Sequence, residues 1–245
     1  MHITQGTSRI RFVSFSGIDG AGKSTQIANL CARLEEHGLR VKQIKFWDDI
    51  ARLKNIRETT GHAVFKGDKG VGSPSSPINR RDKNIQSWPM TAVRLFIYLV
   101  DAISARVTVN KVLRSDAADF VIFDRYIYDE LANLNLRNPA IRAYVRLIMK
   151  LVPKPQISYL LDADPAKARA RKPEYPLEFL YANRQSYLLL SKLVGMDTIA
   201  PLSIQEVKRE VVDLALKELS LPTMTSASDD RASTKLDGSH ECSAA

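Results

Sequence analysis

The stretch SGIDGAGKSTQ, Ser16 to Gln26, decides the fold. It packs three glycines into six residues and follows the last with Lys-Ser-Thr. Gly17, Gly20 and Gly22 permit backbone turns that a Cβ would oppose. Such a loop can aim successive N–H groups into one concavity, which suits an anion. Lys23 adds a point charge beside those donors, and Ser24 adds a hydroxyl able to ligate a divalent cation. The spacing from Gly17 through Gly22-Lys23-Ser24 is the phosphate-binding P-loop pattern.

The flanks agree with this reading. IRFVSFS (10–16) is rich in β-branched and aromatic residues and predicts a buried strand. STQIANLCARLEEHG (24–38) places Ile27, Leu30, Cys31 and Leu34 at helical spacing and stops at Gly38. A helix opening straight after the loop adds its partial positive charge to the anion site.

Further strands are predicted at RVKQIKF (40–46), DFVIFD (119–124), QISYLLD (156–162) and, more weakly marked, MDTIA (196–200). Helical patterns lie between them. One begins near Pro89, with Val93, Phe96, Ile97, Val100, Ile103 and Val107 on one face. Another starts at Asn138-Pro139 and turns Ile141, Tyr144, Val145 and Ile148 inward, leaving Arg142, Arg146 and Lys150 as a solvated stripe. A third covers 177–193, and the last opens with a capping box of Ser203 and Glu206. This alternation predicts an α/β P-loop NTPase fold: a mostly parallel sheet of about five strands with helices on both faces.

The organisation expected is one P-loop domain over 1–221 and a disordered tail over 222–245. Within the domain, 60–88 reads as an insertion or mobile loop, rich in Gly, Pro, Ser and charge. The 245 residues suffice for one sizeable core, and 44% are hydrophobic. No apolar run has membrane-spanning length, and the first residues lack a signal-peptide core. Two cysteines, Cys31 and Cys242, are not expected to pair, which fits a cytoplasmic protein. The net charge of +9 suits phosphate-bearing ligands and is compatible with nucleic acid.

VIFDRY (121–126) sets Asp124 and Arg125 at the carboxyl end of a buried strand, where open α/β sheets bind ligands. Asp124 could hold Mg²⁺ directly or through water. Arg125 could grip a phosphate bidentately, or the two could form an ion pair closing the strand. LDADPAKARARKPEYP (161–176) places Arg169, Arg171 and Lys172 in a short basic arm. Residues 164–176 read as a lid over a triphosphate, or as a solvated basic helix.

FVSFSGIDGAGKSTQ, VIFDRY, LLDADP and EFLYANRQSYL occur in the order and approximate spacing of one family. Over roughly residues 10–215 the chain resembles the thymidylate kinases among the P-loop nucleoside monophosphate kinases. The resemblance implies ATP and Mg²⁺ as cofactors, a small phosphorylated acceptor and a homodimer, with no nucleic-acid or membrane partner. It implies that Lys23 and the amides of Gly17, Gly20, Ala21 and Gly22 hold the donor β- and γ-phosphates. Ser24 would bind Mg²⁺ and Thr25 would contact the α-phosphate. Asp19 would face the acceptor's sugar and phosphate, and Arg125 would hold the acceptor phosphate. Gly20 stands where some members carry a transfer arginine, which leaves Arg169 and Arg171 of the lid as candidates.

The departures concern the acceptor side. Ser16 stands where the family usually has Glu. FWDDI (46–50) replaces an Arg-Glu-Pro-Gly segment, and Asp101-Ala102 replaces an Asp-Arg pair. IYDELANL (127–134) stands where a Ser and a later Tyr-Gln are expected. The expected reaction is ATP-dependent phosphoryl transfer to a nucleoside monophosphate, with dTMP the first candidate. The alternatives are a kinase of the same fold acting on another phosphorylated acceptor, and a P-loop regulatory or nucleic-acid-binding ATPase.

Overall fold

The structure is a computed structural model that describes residues 10–50, 88–115 and 118–219. The tail from 222, and the 60–88 segment apart from Trp88, lie outside the described residues, as do Arg80, Arg81 and Cys242.

Five strands form one parallel sheet: β1 Arg11–Ser16, β2 Val41–Lys45, β3 Phe120–Asp124, β4 Ile157–Leu161 and β5 Asp197–Ile199. Their order across the sheet is β2-β3-β1-β4-β5. β1 is therefore central, with Val13 paired to Ile122 on one side and to Ile157 on the other. Strands covered on both faces need apolar residues at successive positions. Phe12, Val13, Phe15, Val121, Ile122 and Phe123 meet that need, all of them buried.

The helices among the described residues are α1 Lys23–Glu36, α2 Trp88–Leu113, α3 Ile127–Leu131, α4 Pro139–Leu151, α5 Pro165–Arg171, α6 Leu177–Val194 and α7 Ile204–Leu219. A π-helical turn, Phe46–Ile50, follows β2. One face of the sheet packs Val13, Phe15, Ile122 and Tyr159 against Ile27, Leu30 and Leu34 of α1 and Val211 and Ala215 of α7. The other packs Phe12, Val121 and Phe123 into a second cluster with residues of α2, α3, α4 and α6. Each large apolar side chain so buried contributes roughly 1.5–3 kcal/mol.

Local signals set the helix ends. Asn138 Oδ1 accepts from Ala140 N at 2.9 Å, with Pro139 in the first turn. Asp164 Oδ1 accepts from Lys167 N at 2.8 Å to start α5. Ser203 N donates to Glu206 Oε2 at 3.0 Å, one half of the capping box. Gly38, at φ 74, follows the His37 cap of α1.

The stripe of Val93, Phe96, Ile97, Val100, Ile103 and Val107 on α2 mostly faces away from the core. Val93, Phe96, Ile103 and Val107 are 41%, 64%, 52% and 56% exposed, and only Ile97 of the six is fully buried. The inward face is Ile97, Tyr98, Asp101, Ala102, Ala105 and Val109. The alanines let the helix axis approach the layer beneath, so side-chain size decided between two apolar faces.

Candidate active site

The loop between β1 and α1 lies at the carboxyl edge of the central strand. Gly17, Gly20 and Gly22 have φ of 143°, 82° and 91°. Two of them are further constrained by space. A Cβ on Gly17 would overlap the carbonyl oxygen of Leu161, and one on Gly20 would overlap that of Ala168 in α5. Position 20 therefore admits no side chain while α5 lies where it does.

α1 opens at Gly22 with no side-chain cap, and nothing lies within 4 Å of where a Cβ on Gly22 would sit. An uncapped helix start facing open space beside a lysine fits a polyphosphate. Lys23 is buried, and its Nζ donates to Gly17 O at 2.8 Å and to Ile18 O at 2.9 Å. Burial, and then the Arg125 charge, lower its pKa to about 8, against the opposing pull of Asp129, Asp19 and Asp124. Ser24 and Thr25 are exposed at the mouth of α1, and Asp124 is half-buried at the end of β3.

Arg125 follows Asp124 in the left-handed region at φ 68, the one positive-φ non-glycine among the described residues. Such a conformation costs about 1–2 kcal/mol and persists only where the surroundings enforce it. Two carboxylates do so. Its guanidinium donates to Asp19 Oδ1 of the loop at 2.5 Å and to Asp129 Oδ1 of α3 at 2.9 Å. Those carboxylates, with the neighbouring Tyr187, outweigh burial and hold the guanidinium firmly charged.

α5 and the turn after it carry the basic residues Arg169, Arg171 and Lys172. Lys172 lies 3.9 Å from Asp19 of the loop. Arg169 is half-buried and Arg171 exposed on the same short helix. The sheet thus brings together the loop, Lys23, Asp19, Asp124 and Arg125, and α5 sits over Gly20.

Sequence reasoning missed three members of this neighbourhood. Asp129 was partly legible, because it lies four residues after Arg125 on a helical turn. Tyr187, which donates to Asp129 Oδ1 at 2.7 Å from 58 residues away, carries no local signal. Nor does the fork of Arg184 on Asp162, at 2.6 and 2.7 Å, which ties α6 to the end of β4.

A glycine loop that delivers an uncapped helix start to the end of a central parallel strand defines the P-loop class of nucleotide-binding proteins. No protein-family model matches the chain. A protein of Archaeoglobus fulgidus named probable thymidylate kinase is 28% identical over 207 residues, which is 81% of this chain and 91% of the relative. A protein of Pyrobaculum aerophilum with the same name is 29% identical over 212 residues, 83% and 95% of the two chains. Within the P-loop class, the chain is thus similar over most of its length to proteins named thymidylate kinase. Solved thymidylate kinases share its fold. That of Ehrlichia chaffeensis has a TM-score of 0.53 at 19% identity, covering 84% of this chain and 97% of its own. That of Candida albicans has 0.56 at 16%, covering 86% and 93%.

Proposed function

We propose that this chain transfers the γ-phosphoryl group of ATP to dTMP. The observation that carries the reading is the meeting of the phosphate loop with Arg125. A strained, charged arginine bound to the loop's own Asp19 is what a second phosphate beside the donor requires. The relatives named thymidylate kinase point to dTMP as the acceptor.

Residue roles follow from chemistry. The amides of Gly17, Gly20, Ala21 and Gly22, with Lys23, bind the donor β- and γ-phosphates, and Thr25 meets the α-phosphate. Ser24 and Asp124 hold Mg²⁺. When bound, ATP supplies the phosphoryl group and Mg²⁺ neutralises charge on it. Arg125 holds the acceptor phosphate and Asp19 orients its sugar end. Arg169 and Arg171 bring charge to the transferring group from the lid, and α5 excludes water above Gly20. The homodimer that family resemblance implies would use the outward stripe of α2, which a second copy of the chain would cover. No helix among the described residues is long and apolar enough to cross a membrane.

The test is a coupled assay of ADP release across all nucleoside monophosphates and a panel of sugar phosphates. dTMP is expected to raise the rate above the acceptor-free blank. Turnover of another acceptor with none of dTMP would refute the thymidylate assignment. Lys23→Ala removes a charge-assisted contact and is expected to weaken ATP binding by about one to two decades in calorimetry. Equal ATP affinity in the two proteins would remove Lys23 from the donor site.

A further inference from the structure

Two departures from the family, far apart in sequence, meet in the structure. Ser16, where the family usually carries Glu, ends β1 and is fully buried. Asp129 lies in IYDELANL, where the family expects a serine. Ser16 Oγ donates to Asp129 Oδ2 at 2.7 Å.

The Asp129 side chain is 1% exposed and accepts four hydrogen bonds. Besides Ser16, they come from Arg125 at 2.9 Å, the Tyr187 hydroxyl at 2.7 Å and Tyr126 N at 3.3 Å. A buried carboxylate so supplied is stable only with cationic charge in place, which Arg125 gives by direct contact and Lys23 through space. A glutamate at 16 would bring a second carboxylate against the first, in a space with one guanidinium to share. The pair at 16 and 129 thus has room for one carboxylate and one hydroxyl.

We infer that Asp129 is the positioning residue for Arg125, and that its bond from Ser16 Oγ fixes the carboxylate at 129 and the hydroxyl at 16. The anchor of Arg125 is thereby carried by α3. There it is braced by Tyr187 of α6, the helix that follows the lid. Arg125 is gripped from both sides, by the loop through Asp19 and by the helical layer through Asp129. This inference rests on the reading of Arg125 as the acceptor-phosphate residue.

The test is a cycle of four proteins: wild type, Asp129→Ser, Ser16→Glu and the double variant that exchanges carboxylate and hydroxyl between the two positions. Asp129→Ser is expected to raise the KM for dTMP by about ten- to a hundredfold, with the KM for ATP within about twofold. The double variant should recover most of that loss. In thermal unfolding without nucleotide, each single variant should fall by about 5–10 °C and the double should regain most of it. If Asp129→Ser does not fold, Asp129→Asn takes its place in the same cycle. Losses that add in the double variant would overturn the exchange. Equal rises in both KM values would overturn the positioning role. If the wild type turns over no dTMP, the kinase reading fails by itself. The unfolding cycle needs no substrate and still decides the exchange: recovery upholds it and additivity refutes it.

Discussion

Lys23 holds two loop carbonyls and has a pKa of about 8, against 10.5 for an ordinary lysine. The sign of the linkage follows from that direction. Between pH 8 and 10.5 the folded chain holds fewer protons at this group than the unfolded chain. Its contribution to stability therefore rises with pH across that window, and below it the buried ammonium is a cost. Phosphate oxygens beside Nζ favour the charged form and would raise the pKa again. ATP binding at about pH 9 is accordingly expected to take up part of a proton through this lysine. Calorimetry in buffers of differing ionisation enthalpy measures it: uptake in the wild type, and its loss in Lys23→Met. A wild type binding ATP with no such uptake would contradict the placement of phosphate at Nζ.

At the scale of elements, the contact between the loop and α5 is set by one glycine. Gly20 sits at φ 82 beneath the carbonyl of Ala168. Gly20→Ala combines an unfavourable left-handed backbone with an overlap that no rotamer relieves, because the obstacle is backbone. We expect a loss of about 1–3 kcal/mol, near 2–4 °C per kcal/mol for a chain of this size. The Asp19–Lys172 pair should loosen as α5 shifts. Unfolding midpoints of Gly20→Ala and of Ser24→Ala, exposed in the first turn of α1, make the comparison. A Gly20→Ala protein as stable as the wild type would mean that α5 does not rest on the loop in solution.

At the scale of the molecule, α2 is apolar on more than the side that packs inward. Phe96 and Ile103 lie on its outer face, two helical turns apart and more than half exposed. Isolated exposed apolar residues are ordinary, whereas a stripe along one helix marks a contact surface. A wild type that forms dimers is expected to become monomeric in Phe96→Glu, because a buried unpaired charge costs several kcal/mol. Light scattering during size-exclusion chromatography reads the mass directly. A dimer unaffected by both Phe96→Glu and Ile103→Glu would place the interface elsewhere.

What the sequence determined alone was whatever rests on neighbouring residues. β1 falls on 11–16, and α6, at 177–194, exceeds its predicted end by one residue. The loop glycines, Lys23, Asp124 and Arg125 were legible because each group is contiguous and sits at a strand end, where the fold class puts ligands. Tertiary structure decided what periodicity and spacing do not encode. The inward face of α2 was chosen by the fit of Ala102 and Ala105, which a helix apolar on several sides does not announce. Ser16 and Asp129 are 113 residues apart, and Tyr187 is 58 further on. They share one carboxylate only because β1 and β3 are paired in a register that sets Phe15 beside Asp124. That register brings the residues following each strand to one edge of the sheet. The loop, the strained arginine and its buried anchor meet there.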